Sequence, residues 1–276
     1  MAHATRTVLF ACLCMANACT HAYNNELKKE SNAHMNQTQI NSFETTDKNG
    51  NRITLEWQQS SFTDPVFAQA MKRAWEVARP AYVPVEMQFL KAFPEIVATE
   101  PYFKAFEALF TNGIEQVDWV AAETIMTNIL QGHFIFEPAM LSDAIVKAYG
   151  QDSCIMITAK DSAGTLLGFA AFMARATYPQ GTVKVMALGV LPEHQKRGLG
   201  KILMSTIFNI MPATTKLFLC TRVTNNTALA AYKIWGFVHD AAPIMDHLFN
   251  LDHWTFLTYN PAEKSVLQTV ANTLKV

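Results

Sequence analysis

Between residues 154 and 259 the apolar positions follow two different rhythms. Residues 154–159, 166–178, 182–190, 216–222 and 254–259 are short apolar runs bounded by turn formers, and each predicts a strand. Asp161-Ser162-Ala163-Gly164 and Pro179-Gln180-Gly181 supply the turns between the first three. Two stretches repeat at helical spacing instead. Leu199, Ile202, Leu203, Ile207, Ile210 and Met211 define one; Ala228, Ala231, Tyr232 and Trp235 define the other. Strands followed by helix, strand, helix and strand predict an α/β (α+β) fold with a mixed sheet.

Upstream the pattern changes. Residues 40–46 and 52–57 alternate around Asp47-Lys48-Asn49-Gly50-Asn51, and Asn-Gly between alternating segments predicts a hairpin. Residues 64–149 are predominantly helical. Asp64-Pro65 starts a helix whose apolar positions run from Phe67 to Ala78. Further helices are expected at 85–93, 101–110, 114–130 and 138–149, punctuated by Pro94, Asn112-Gly113, Gly132 and Gly150. Phe103, Phe106 and Phe110 are expected in the core of this region.

Candidate chemistry concentrates at residues 188–211, LGVLPEHQKRGLGKILMSTIFNIM. A strand runs into a polar turn, two glycines and a helix. The first amides of that helix have no internal partner and carry the positive end of its dipole. Gly198 and Gly200 allow close backbone approach. Lys196, Arg197 and Lys201 add positive charge. Together these make a site for phosphate groups. A P-loop is excluded, because Ile202 follows Gly200-Lys201, and a dinucleotide fingerprint lacks its third glycine at Leu203.

Gln195-Lys196-Arg197-Gly198-Leu199-Gly200 resembles the Q/R-x-x-G-x-G/A motif of the GNAT acetyltransferase superfamily. A later stretch, residues 224–237, resembles that family's N-x-x-A-x-x-x-Y-x-x-x-G-F pattern at Asn225, Ala228, Tyr232, Gly236 and Phe237. The spacing between them, one helix plus one strand, is also the family's. The resemblance implies an acyl-CoA N-acyltransferase fold, here with an extra helical region before it. It implies acetyl-CoA as co-substrate and direct acetyl transfer to a primary amine, on a small molecule or a protein. By the same resemblance the amides of Gln195, Lys196, Arg197, Gly198, Leu199, Gly200 and Lys201 hold the pyrophosphate. Backbone at Leu188, Gly189 and Val190 pairs the pantetheine arm, and Asn225 contacts it. Gly189 fits a strand irregularity where a ligand comes close. Tyr232 donates a proton to the departing sulfur.

Many relatives place a glutamate on the strand before the pyrophosphate loop, but TVKVMALGV has no carboxylate. Glu193 and His194 read as surface groups. His239 and Asp240 follow a later strand and are candidates to face the acceptor. Asp246-His247 and Asp252-His253 match no tight ligand spacing, so no metal is expected. The extra helical region is either a cap over the acceptor pocket or a packing unit. Two other functions remain open: a non-catalytic acyl-CoA sensor, and an exported interaction protein on the same scaffold.

Composition narrows little further. Half the residues are hydrophobic and 16% are charged, enough for a sizeable core. A net charge of −1 argues against a nucleic-acid binder, and no apolar run is long enough to span a membrane. Arg6, an apolar stretch and Ala16-Asn17-Ala18 make residues 1–18 resemble a signal peptide. Cleavage there would leave Cys19 first, open to lipidation, and an exported acetyltransferase would find its donor in a host cytosol. The alternative is a cytoplasmic protein starting at Met35. Cys154 and Cys220 fall in strand-like runs and do not form a disulfide framework. The expected divisions are the leader, a linker at 19–37, a hairpin and helical region at 38–150, a GNAT core at 151–260 and a tail at 261–276. The oligomeric state is not legible.

Overall fold

A computed structural model describes residues 40–61, 64–99, 101–132, 153–175, 178–240, 251–261 and 266–274. The signal-like segment 1–18, Cys19, Met35, the 19–37 linker, the helix expected at 138–149 and Asp246-His247 lie outside them.

One eight-stranded sheet organises the fold. Its strands are β1 (Asn41–Thr46), β2 (Arg52–Ser61), β3 (Ser153–Lys160), β4 (Leu166–Ala174), β5 (Thr182–Val190), β6 (Lys216–Arg222), β7 (Val238–His239) and β8 (Trp254–Tyr259). In space they run β1-β2-β3-β4-β5-β6-β8-β7. Neighbours are antiparallel except β5 and β6. The hairpin at 40–57 therefore extends this sheet. Its turn is built by Asp47, whose carboxylate accepts the amides of Asn49 and Asn51 at 2.9 Å each.

The parallel pairing of β5 with β6 is short. Thr182, Val183 and Lys184 pair with Lys216, Leu217 and Phe218, and no register is shared beyond them. Past that vertex the two strands part, which leaves a slot between 185–190 and 219–222.

Helices cover both sheet faces, because β3, β4 and β5 alternate apolar side chains to each side. On one face lie α6 (Leu199–Ile210), α7 (Asn226–Trp235) and α8 (Val266–Thr273), numbered after the five helices of the opposite face. Leu203, Ile207, Tyr232 and Leu267 pack there on Ile155, Ile157 and Val185. The tail expected at 261–276 thus carries a helix, and Asn209 Nδ2 donates to the carbonyls of Ala271 and Leu274 at 3.0 and 3.3 Å.

The other face is covered by the helical region: α1 (Pro65–Ala78), α2 (Val83–Ala92), α3 (Ile96–Thr99), α4 (Glu107–Phe110) and α5 (Trp119–Gly132). Phe67, Trp75, Phe89 and Met126 pack there on Met156, Phe169 and Met173. Phe103 and Phe106 are fully buried, as core residues, while Phe110 is half-buried.

Three sequence expectations need correction. The helix expected at 114–130 is broken, because the Asp118 carboxylate accepts the amides of Val120 and Ala121, both at 3.0 Å, and starts α5 afresh. The 101–110 segment opens as a 3-10 turn, Pro101–Phe106, before α4. The strand expected at 166–178 stops at Ala174, and the Tyr178 amide closes a turn onto the Arg175 carbonyl at 3.1 Å.

Candidate functional site

The loop after β5 begins with a 3-10 turn, Pro192–His194. Gln195 is extended, Lys196 takes φ 60° and Gly198 φ 83°. That left-handed position selects glycine, although a Cβ would meet only Lys48, at 3.7 Å. No side chain caps α6. The Ile202 amide is the one that reaches back to the Gly198 carbonyl, at 3.1 Å. The amides of Leu199, Gly200 and Lys201 precede it and have no helical acceptor. The Leu199 side chain is buried in the core, so only its main chain serves the loop. Gln195 and Lys196 are exposed.

Two residues of this loop have other duties. Arg197 does not add free charge. Its Nε donates to the Asp47 carboxylate at 2.6 Å, its Nη1 meets His194 Nδ1 at 2.9 Å, and its carbonyl accepts the Lys48 amide at 3.1 Å. The β1–β2 turn is thereby fastened to the glycine loop. Burial alone would raise the Asp47 pKa, but hydrogen bonds from Asn51, Arg197 and the Asn49 amide outweigh it and hold the carboxyl at about 2. Gly200 packs against α7: a Cβ there would lie 3.3 Å from the Trp235 ring.

Along the slot, main-chain direction follows the ladder. The Leu191 amide donates across to Leu167 of β4 at 3.0 Å, so by alternation Leu188 and Val190 turn their amides and carbonyls away from β4, into the slot. The Val190 carbonyl accepts from Gln195 Nε2 at 3.2 Å, and the Leu188 carbonyl from the Tyr82 hydroxyl at 2.9 Å. Both slot carbonyls are therefore occupied by side chains. Gly189 is a correction. The strand irregularity lies at Met186, where the register with β4 shifts. The close neighbours of Gly189 belong to the chain itself: a Cβ there would meet Ala78 at 2.9 Å and Tyr82 at 3.4 Å.

Tyr232 projects from α7 beneath the slot, with its ring edge-on to Trp235 at 5.5 Å and tilted against Phe237 at 5.3 Å. It interacts electrostatically with Cys220 on the open part of β6 and with Tyr82 across the sheet. Burial pushes the Tyr232 phenol well above its ordinary pKa, with the Cys220 thiol adding to the shift. The hydroxyl therefore keeps its proton across the physiological range. Asn225 caps α7 by accepting the Ala228 amide at 3.2 Å, while its Nδ2 donates to Thr221 Oγ1 at 3.0 Å. Both ends of its side chain are committed inside the fold. Gly236, at φ 96°, ends the helix.

The remaining candidates disperse. His239 is exposed on β7, at the sheet edge remote from the slot, and Asp240 pairs with Lys216 at 3.1 Å. Glu193 is exposed. His253 packs between Phe89 and Phe93, each 5.2 Å away. Among the described residues, no group of three His, Cys, Asp or Glu side chains is placed to hold a metal. Sequence reasoning missed Tyr82, and it missed the buried pair of Arg222 at the end of β6 with Glu86 on α2. Pairing partners 136 residues apart leave no local signal.

Residues 122–237 match the acetyltransferase (GNAT) family. The match covers less than half of the chain. The matched stretch holds both motifs and Tyr232 and leaves out Tyr82, Glu86 and the β1–β2 turn that braces Arg197. Solved structures similar to this chain include acetyltransferases. Nourseothricin acetyltransferase is 24% identical over 39% of this chain and 65% of its own, with a TM-score of 0.32. The ribosomal-protein-S18-alanine N-acetyltransferase of Escherichia coli is 18% identical over 38% and 67%, TM-score 0.31. PaiA N-acetyltransferase of Thermoplasma acidophilum, solved with coenzyme A, is 15% identical over 75% and 98%, TM-score 0.40. No curated protein sequence matches.

Proposed function

We propose that the GNAT domain of this chain transfers an acetyl group from acetyl-CoA to a primary amine. One arrangement carries this reading: an uncapped helix start stands at the mouth of a slot whose walls are a strand edge and a tyrosine. The amides of Gly198 to Lys201 would hold the pyrophosphate. From there the acyl-bearing arm would run along β5 past Val190 to Leu188. The Leu188 amide, turned into the slot, would donate to the thioester oxygen as negative charge builds on it.

The balance is simple. The amine nitrogen attacks the carbonyl carbon and a C–N bond forms. The C–S bond then breaks, and the Tyr232 hydroxyl gives its proton to the leaving thiolate. The amine's surplus proton passes to water and restores the phenol. Among the described residues, the Glu86 carboxylate beside the slot is held by Arg222; on this reading the acceptor enters as its neutral amine. Protein N-termini, with an ordinary pKa of about 8, meet that demand most readily, whereas polyamines and amino-bearing antibiotics must first lose a proton.

The test is calorimetric titration with acetyl-CoA, followed by a free-thiol assay over a panel of a polyamine, an aminoglycoside and an alanyl peptide. Saturable binding and amine-dependent thiol release are expected. Absence of binding would contradict the reading. Binding without thiol release from any amine would favour a coenzyme sensor.

A further inference from the structure

Two tyrosines flank the parting of β5 and β6, one on each face of the sheet. Tyr232 stands on the face of α6 to α8, and Tyr82 stands on the other, at the junction of α1 and α2. Tyr82 is held from three sides. Its ring packs on Trp75 with centroids 4.6 Å apart, it lies beneath Gly189, and its hydroxyl donates to the Leu188 carbonyl at 2.9 Å. One helical turn later Glu86 grips Arg222 on β6 at 3.0 Å. The start of α2 thus bridges the parted strands, with Tyr82 on one and Glu86 on the other.

This placement has a chemical consequence. An arm anchored at Gly198 and running up β5 brings its thioester to Leu188. Whatever extends past the carbonyl carbon toward the helical face meets the Tyr82 ring. We propose that Tyr82 is a specificity-determining residue that restricts transfer to short acyl groups. The inference rests on the acetyltransferase reading above and deepens it. It also assigns the helical region a part in the site, through a side chain outside the matched domain. Gly189 and Ala78 agree with it: their close contact leaves no room beside the ring for a longer chain to slip past.

The test uses the full chain and three donors, acetyl-CoA, butyryl-CoA and hexanoyl-CoA, with binding measured by calorimetry so that no acceptor is needed. Wild type is expected to bind hexanoyl-CoA at least about tenfold more weakly than acetyl-CoA, the scale on which a closed apolar pocket rejects added methylenes. Tyr82→Phe keeps the ring and should keep that ratio. Tyr82→Ala should bring the two affinities to within about twofold. Tyr82→Leu, which retains apolar bulk against Trp75, serves the same purpose should the alanine variant fold poorly. A purely structural tyrosine would weaken all three donors alike and leave the ratio intact; that result overturns the proposal, as does a wild type that binds the long and short donors equally. If wild type binds none of the three, the acetyltransferase reading itself is lost.

Discussion

Arg222 and Glu86 form a bidentate pair, with guanidinium-to-carboxylate distances of 3.1, 3.2 and 3.0 Å. Both side chains are almost wholly buried, and the guanidinium lies over Phe89 at 4.0 Å and Trp254 at 4.3 Å. Removing one partner strands a buried charge. Glu86→Ala should cost about 3–5 kcal/mol of stability, whereas the double change Glu86→Leu with Arg222→Met should recover most of it. Urea denaturation of the three proteins measures this. Equal stability of Glu86→Ala and wild type would show that the pair does not join helix to sheet.

Acid should loosen the glycine loop through Asp47. Its folded pKa, about 2, lies below the ordinary 3.8. The bonds that depress it stabilise the fold fully above the ordinary value, and this contribution is lost as pH falls through 2. Asp47→Asn should lower stability at neutral pH and flatten the decline between those two values. The same variant should weaken acetyl-CoA binding, because Arg197 loses its anchor. Parallel acid titrations of wild type and variant would count against this brace.

Gly189→Ala tests whether that glycine serves packing. Its new Cβ would press on Ala78, 2.9 Å away, and on the Phe169 ring at 3.2 Å. Overpacking of this kind costs about 1–3 kcal/mol. A fall in Tm without any ligand present is expected, and an unchanged Tm would show that packing does not select glycine there.

Tyr232→Phe keeps the ring that packs on Trp235 and Phe237 and removes the proton. Turnover should drop by roughly 10²–10⁴-fold with donor affinity little changed. Steady-state kinetics with the best amine from the panel decide it. Unaltered turnover with chemistry rate-limiting takes Tyr232 out of the mechanism.

Much of the sheet was legible because strand and helix periods differ. The runs at 182–190, 216–222 and 254–259 coincide with β5, β6 and β8. The glycine loop was legible because Gly198 must take a left-handed φ in a short strand-to-helix turn. What escaped was long-range. Nothing local to Arg197 announces Asp47, 150 positions earlier, and nothing near Leu188 announces Tyr82. Free positive charge at Arg197 was therefore overcounted. Asn225 caps α7, and the Thr221 contact that occupies its amide depends on how β6 meets α7. The break at Asp118 was missed because an apolar period alone does not show when a carboxylate turns back on its own helix.

The start of α6 is the proposed anchor of the donor. Amide spectra of the labelled full chain, followed as acetyl-CoA is titrated in, report that directly. Saturable shifts at Gly198, Leu199, Gly200 and Lys201, with Leu188 and Val190 moving in step, are predicted. Shifts that leave these six amides in place while residues elsewhere respond would contradict it.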